Sequence, residues 1–303
     1  MTNSTSKSVE SELIRSLPTP HIRRIIINGD DFGFSNGVNQ AIIKAHEDGA
    51  LTSTSLMVTG DAVEQAIDLA RAHPHLGVGL HLVLVCGKSA LPPKEIPDLV
   101  DVKGNFSDDP TKAGLRYQFH QATHEQLYRE IRAQLEKFRA TGLPLSHVDG
   151  HLHMHVHPVV MGILVDLAPE FGINFIRLPA EELSINLKLN NKGLATKIIW
   201  SIVFGRLRRY SEKLLKSKGI GFADRVYGLL QTGGMTEEYL LGLIPQISAD
   251  LVEIYSHPAM MIDGEPLNGI EGAGEAELAA WLSSRVCSVI NEYGFVLSNF
   301  RQF

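Results

Sequence analysis

Arg24-Ile25-Ile26-Ile27-Asn28-Gly29-Asp30-Asp31-Phe32-Gly33 is the stretch that decides the fold. A run of isoleucines that ends in two adjacent acids reads as a buried strand handing its last residues to a loop. That is the place where α/β folds open onto a substrate crevice. Neighbouring carboxylates there can divide the work, one binding a metal while the other takes a proton. A helix N-cap cluster before Ser35-Asn36 explains an isolated Asp-Asp equally well, so the choice rests on what the rest of the chain supplies.

Outward from this stretch the chain keeps a strand-then-helix rhythm, which predicts a mostly parallel sheet or barrel. Strands are expected at 24–28, 54–58, 78–81, 145–148, 175–178, 251–256 and 295–298. Helices fit between them. Residues 36–48 place Val38, Ile42 and Ala45 on one face, and 62–72 place Val63, Ala66, Ile67 and Ala70 likewise. The helix 124–140 turns Leu127, Ile131, Leu135 and Phe138 inward, and Pro158 opens another, 158–170, at a position proline favours.

Of the 13 histidines, five fall within His147-Val148-Asp149-Gly150-His151-Leu152-His153-Met154-His155-Val156-His157. If this segment stays extended, alternation sends His147, Asp149, His151, His153 and His155 to one side as a polar wall. A surface metal-storage tract is the competing reading. His81 ends the short strand Val78-Gly79-Leu80 and repeats the arrangement at Asp31, an apolar strand followed by a ligand-type residue. Imidazole and carboxylate together suit a divalent ion with open positions. Asp31, His81 and His151 are the expected ligands, and the ion can be Mg2+ or Zn2+, with Mn, Co and Fe also compatible.

With Leu51-Thr52-Ser53-Thr54-Ser55 and Ile254-Tyr255-Ser256-His257-Pro258 added, these motifs resemble the YdjC-like carbohydrate deacetylases over about residues 24–292. Within that family the chain is similar to the hopanoid biosynthesis-associated branch, HpnK, through Leu82-Val83-Leu84-Val85, Leu91-Pro92-Pro93, 96–101, 130–134 and 139–145. The resemblance implies a distorted TIM-like (β/α) barrel of about seven parallel strands holding one divalent ion. It also implies ligands Asp31, His81 and His151, with Asp30 as general base and His257 as general acid. The implied activity is removal of an N-acetyl group from an amino sugar, for this branch on an N-acetylglucosaminyl hopanoid. Many relatives carry Ser before the second ligand histidine; here it is Gly150, which is expected to make the loop more permissive.

The chemistry can also be argued from the residues. Amide hydrolysis needs a nucleophile, charge stabilisation on the carbonyl oxygen and a proton for the departing amine, and a metal supplies the first two. Asp30 then accepts a proton. His257 ends the strand 252–255, and an imidazole titrating near neutrality can deliver one; a cap before Pro258 is its structural alternative. His153, in the polar wall, and Arg177, ending the strand Phe175-Ile176, are the expected substrate contacts. Arg177 is equally well placed to hold Asp30, or to sit in a buried ion pair. Asp224 is a further candidate for the barrel mouth.

The chain has 303 residues, 44% of them hydrophobic and 20% charged, with a net charge of −6, which gives no nucleic-acid signature. Cys86 and Cys287 are far apart and lack metal-type spacing, as in a reduced, cytoplasmic protein; Cys86 more resembles the start of a loop than a ligand. Residues 1–21 read as a flexible leader without a secretory core. Residues 22–303 are expected to form one domain with two insertions. Residues 85–121, rich in Pro and Gly, suit a lid beside the site. In 188–222, Lys192, Lys197, Arg206, Arg208, Arg209, Lys213, Lys216 and Lys218 interleave with Ile198, Ile199, Trp200, Ile202, Val203 and Phe204. That pattern fits a helix lying on an anionic membrane surface, or an ordinary barrel helix with a basic outer face. A homo-oligomer and a monomer are both compatible with the sequence.

Overall fold

The structure, a computed structural model, describes residues 22–303, so the expected leader lies outside the described residues. Along the chain it runs β1 (Arg23–Phe32), α1 (Asn36–Glu47), β2 (Ser53–Leu56), α2 (Val63–Ala72) and β3 (Gly77–Leu82). Then come α3 (Pro110–Phe119), α4 (Ala122–Ala140), β4 (Val148–Gly150), α5 (Pro158–Phe171), α6 (Leu183–Leu189) and α7 (Leu194–Lys218). The last third holds β5 (Arg225–Tyr227), α8 (Glu237–Leu243), β6 (Leu251–Ser256), α9 (Ala273–Leu282), α10 (Ser284–Glu292) and β7 (Phe295–Ser298).

The strands pair in the order β4-β3-β2-β1-β6-β5, with β7 alongside the first half of β1, and every pairing is parallel. β1 lies at the centre, and Ile25, Ile26 and Ile27 have no exposed surface, as expected for a strand buried on both faces. Val38, Ala41, Ile42 and Ala45 of α1 and Leu127, Ile131, Leu135 and Phe138 of α4 pack on the same core. The gap between β4 and β5 is spanned by residues 175–180, which bridge Val148 through Ile176, Gly221 through Phe175 and Val226 through Ala180. The result is a distorted barrel whose strand C-terminal ends share one rim.

Two expectations about strands need correction. Residues 175–178 make single bridges instead of a strand, and the seventh strand is β5. With only three residues before Gly228, β5 offers too short an alternation to register as a strand. Asp224 stands at the wrong end for the mouth: it precedes β5, and its carboxylate accepts from the Leu251 N–H at 3.0 Å at the base of the sheet. Among the described residues no helix is long and apolar enough to cross a membrane.

Candidate active site

At the end of β1 the register slips. Asn28 pairs with Ser53 and Gly29 with Thr54, but the next pair is Phe32 with Leu56. Asp30 and Asp31 therefore face Ser55 alone, in a β-bulge that re-aims side chains. Asp31 takes φ 66°, a conformation that costs a residue with a Cβ and is stored where function needs it. Through this bulge the two acids part: Asp31 turns to the histidines, Asp30 to Arg177.

Asp31 Oδ1 lies 3.1 Å from His81 Nε2 and 2.9 Å from His151 Nδ1. The three ligand atoms all fall within 4.8 Å of one another, a grouping able to hold a metal ion. His81 stands opposite Asp149 across the β3–β4 pair, and its Nδ1 is 2.8 Å from Asp149 Oδ1. With Nδ1–H donated to that carboxylate, Nε2 is left to face Asp31, the arrangement in which a second carboxylate orients a ligand imidazole. Asp30, His81 and Asp149 form a second grouping of the same kind. Its space is taken by a cation already: Arg177 Nη2 is 2.7 Å from Asp30 Oδ1 and 2.8 Å from Asp149 Oδ2. The first grouping, of two imidazole nitrogens and one carboxylate, is the one that fits a divalent ion.

The electrostatics fit the same ion. Three buried carboxyl groups, Asp30, Asp149 and Glu253, surround the single guanidinium of Arg177, and a fourth, Asp31, faces the two histidines. Burial opposes a charge on His81, yet Asp149 and Asp31 outweigh it and push the imidazole up to about 10. Burial works against Asp31 too, but His151 and His81 hold it well below the usual carboxylate range. Glu253 differs: burial pushes it up to about 8, against the pull of Arg177. The cluster attracts positive charge where the three ligand atoms converge.

Arg177 is placed differently from a sugar contact. It is fully buried, with Nη1 and Nη2 forked onto Asp30 at 2.6 and 2.7 Å and Nε on Glu253 at 2.6 Å. Its donors serve the carboxylates beneath the site, a bidentate geometry that fixes the plane of Asp30. Asn28 Nδ2 adds a bond to Asp30 Oδ1 at 2.7 Å.

The extended reading of the histidine tract holds only as far as Gly150. There the chain turns into tight helical turns, with Leu152 at φ 48° and His153 at φ 57°, so later side chains are aimed by the turn and not by the pleat. His147 is buried against Phe300, 3.8 Å between ring centroids, and His155 bonds the Arg177 carbonyl at 3.0 Å. Burial brings His155 down to about 4, so it is neutral. A Cβ on Gly150 would come within 2.9 Å of the Leu82 carbonyl oxygen. Glycine here is closely packed, a correction to the expected permissive loop.

His153 Nε2 is 2.7 Å from the Tyr255 hydroxyl, and its Nδ1 is buried with no partner among the described residues. Both rings, with Asp30, His81, His151 and His257, line a cavity of about 700 Å³. His257 follows β6, anchored by its N–H to Glu277 Oε2 at 2.6 Å, and its ring stands edge-on to Tyr255. One wall comes from α3 through Leu115 and Phe119, another from α7 through Trp200, Val203 and Phe204. Both insertions thus border the cavity. Cys86 lies elsewhere, its Sγ 3.6 Å from the Asp108 carbonyl.

Sequence reasoning gave no role to Asp149, Tyr255 or Asn268, whose Nδ2 donates to Asp31 Oδ2 at 3.1 Å. Asp149 was legible in the Asp-x-His-x-His spacing. Asn268 sits in a loop 237 residues from Asp31, with no local signal.

The YdjC-like protein family matches residues 24–292 of this chain. A carbohydrate deacetylase of Geobacillus stearothermophilus is 32% identical over 284 residues, covering 93% of this chain and 98% of that protein. Another, of Brevibacillus brevis, is 44% identical over 152 residues, a match spanning 50% of this chain and 57% of that protein. The crystal structure of an Enterococcus faecalis V583 protein assigned to cellobiose-phosphate cleavage shares the fold, with TM-score 0.73 at 24% identity, covering 93% and 98% of the two chains.

Proposed function

The chain belongs to the family of YdjC-like proteins, and on that premise we propose that it is a metal-dependent carbohydrate N-deacetylase of the hopanoid biosynthesis-associated branch. Its substrate in this reading is an N-acetylglucosamine unit carried by a hopanoid lipid. The observation that supports the reading above all is the convergence of Asp31, His81 and His151, with His81, His151 and Asp30 lining the cavity. The names of the Geobacillus and Brevibacillus relatives point the same way.

Asp31, His81 and His151 would hold one divalent ion, which when bound acidifies water and polarises an amide carbonyl. Asp30, fixed in orientation by Arg177 and Asn28, takes up the proton of the attacking water. His257, on the cavity wall, returns a proton to the nitrogen that leaves as the amine. His153, on the cavity wall and bonded through Nε2 to the Tyr255 hydroxyl, packs against the sugar in this reading.

The apolar walls favour a lipid-linked sugar over a free oligosaccharide. Around the cavity mouth Phe119 is 77% exposed and Leu115 56%, and along α7 Ile199 is 58% and Ile202 52% exposed. Exposed Arg206, Arg209 and Lys213 continue α7, so in this reading the helix rests on an anionic membrane surface. Arg208 and Lys197 drop out of that basic face, because Arg208 bonds the Leu178, Ala223 and Asp224 carbonyls and Lys197 the Asn190 carbonyl.

The test is mass spectrometry of an N-acetylglucosaminyl hopanoid and of N,N′-diacetylchitobiose, each incubated with protein loaded with Zn2+, Mn2+ or Mg2+. Loss of one acetyl group from the lipid, with chitobiose a poor substrate, is expected. Equal turnover of chitobiose would favour a soluble chitooligosaccharide deacetylase. No acetate from either would reduce the protein to a sugar- or metal-binding role.

A further inference from the structure

Between β6 and α9 the chain runs over the site as a strap, residues 257–272, that is tied down on both sides of the turn joining β1 to α1. On the far side, Glu265 accepts from the Gly37 N–H at 2.9 Å and from Asn36 Nδ2 at 2.6 Å, with the Asn36 N–H at 3.3 Å. The first turn of α1 has no acidic residue of its own. Glu265 thus brings the negative charge that a helix N-terminus favours from 228 residues away. The Met260 N–H donates to the Gly37 carbonyl at 3.1 Å. A Cβ at position 37 would stand 2.1 Å from the Met260 carbonyl oxygen, so the strap can seat this closely only over a glycine.

On the near side, Pro266, Leu267, Gly269 and Ile270 are exposed, whereas Asn268 between them is partly buried and donates to Asp31 Oδ2. The other oxygen of Asp31 is the one shared by His81 and His151. Left-handed glycines at 264, 269 and 272 shape the turns on either side of Asn268.

We infer that Asn268 is a positioning residue for the cation site and that Glu265 is the latch that delivers it. By bonding Oδ2, Asn268 keeps the Asp31 carboxylate rotated so that Oδ1 stays toward the two histidines. Asp31 is already held in a left-handed backbone conformation at the bulge, its Oδ1 is held by the two histidines, and Asn268 fixes the second oxygen. Glu265 touches no group of the cation site, and acts by holding the strap against α1. The inference rests on the metal reading of the site given above.

The test compares Zn2+ dissociation constants, from competition with a chromogenic chelator, for wild type, Asn268→Ala and Glu265→Ala. Melting temperatures in EDTA and hydrogen exchange of residues 257–272 are measured alongside. Outer partners of metal ligands typically govern affinity by about 10- to 100-fold. Asn268→Ala is expected to weaken Zn2+ binding by about tenfold or more without changing the melting temperature in EDTA. Glu265→Ala is expected to weaken it as well, and to speed exchange across the strap. If wild type binds Zn2+ and Asn268→Ala binds it within about twofold as tightly, the inference is overturned while the metal reading stands. If Glu265→Ala speeds exchange but leaves affinity unchanged, the latch role is overturned. If wild type binds no divalent ion, both readings fall together.

Discussion

Asp149→Asn keeps the volume of a fully buried side chain and removes one charge. Asp149 Oδ1 accepts from His81 Nδ1 at 2.8 Å, while Oδ2 accepts from Ser55 Oγ at 2.6 Å and faces Arg177 Nη2 at 2.8 Å. An amide has two ways to lie there. With its oxygen toward His81, its NH2 meets the guanidinium, donor against donor, and a buried unsatisfied pair of this kind costs about 1–3 kcal/mol. With its NH2 toward His81, Nδ1 must accept, so the ring proton moves to Nε2 and that nitrogen is lost as a ligand. Both outcomes also remove the carboxylate that strengthens the imidazole as a ligand. The expected result is Zn2+ binding weaker by about 10- to 100-fold, or about 1.4–2.8 kcal/mol. The melting temperature in EDTA should also fall by several degrees. Chelator competition and calorimetry measure the two. Affinity within twofold of wild type, with an unchanged melting temperature, would refute the claim that Asp149 orients His81.

Three further outcomes are expected. Asp30→Asn should retain metal content yet lower kcat for acetate release by about 10²- to 10⁴-fold, the usual contribution of a general base; full activity would remove Asp30 from that role. Burial pushes Glu181 from the ordinary 4.5 up to about 7, despite bonds from the Leu230 and Gly228 N–H groups. The folded state then binds more protons than the unfolded one between those values, so stability falls as pH rises from about 4.5 to 7, by at most about 3 kcal/mol. Glu181→Gln should flatten that slope in melting temperatures taken between pH 5 and 8, and an unchanged slope would disprove the assignment. Ile199→Ser with Ile202→Ser, two exposed positions on α7, should reduce cosedimentation with anionic vesicles severalfold while acetate release from a detergent-dispersed substrate is maintained. Equal sedimentation would leave α7 an ordinary barrel helix.

The sequence by itself determined the barrel, because burial on both faces of a parallel strand writes a continuous apolar run such as Ile25-Ile26-Ile27, and helices packed outside write a 3.6-residue period. It also picked out Asp31, His81 and His151, which the fold brings together, since each is a ligand-type side chain at or just past a strand's C-terminal end and parallel strands bring those ends to one rim. What only the tertiary structure decided were contacts between distant segments and backbone conformations that pattern does not encode. The bulge that parts Asp30 from Asp31 depends on the register of β1 against β2. Arg177 is drawn beneath the floor because three buried carboxyl groups await it there. The histidine tract leaves the pleat after Gly150, and two left-handed residues, Leu152 and His153, then redirect it. Asn268 reaches Asp31 across 237 residues of chain, a pairing set by where the strap rests on α1, which no local periodicity records.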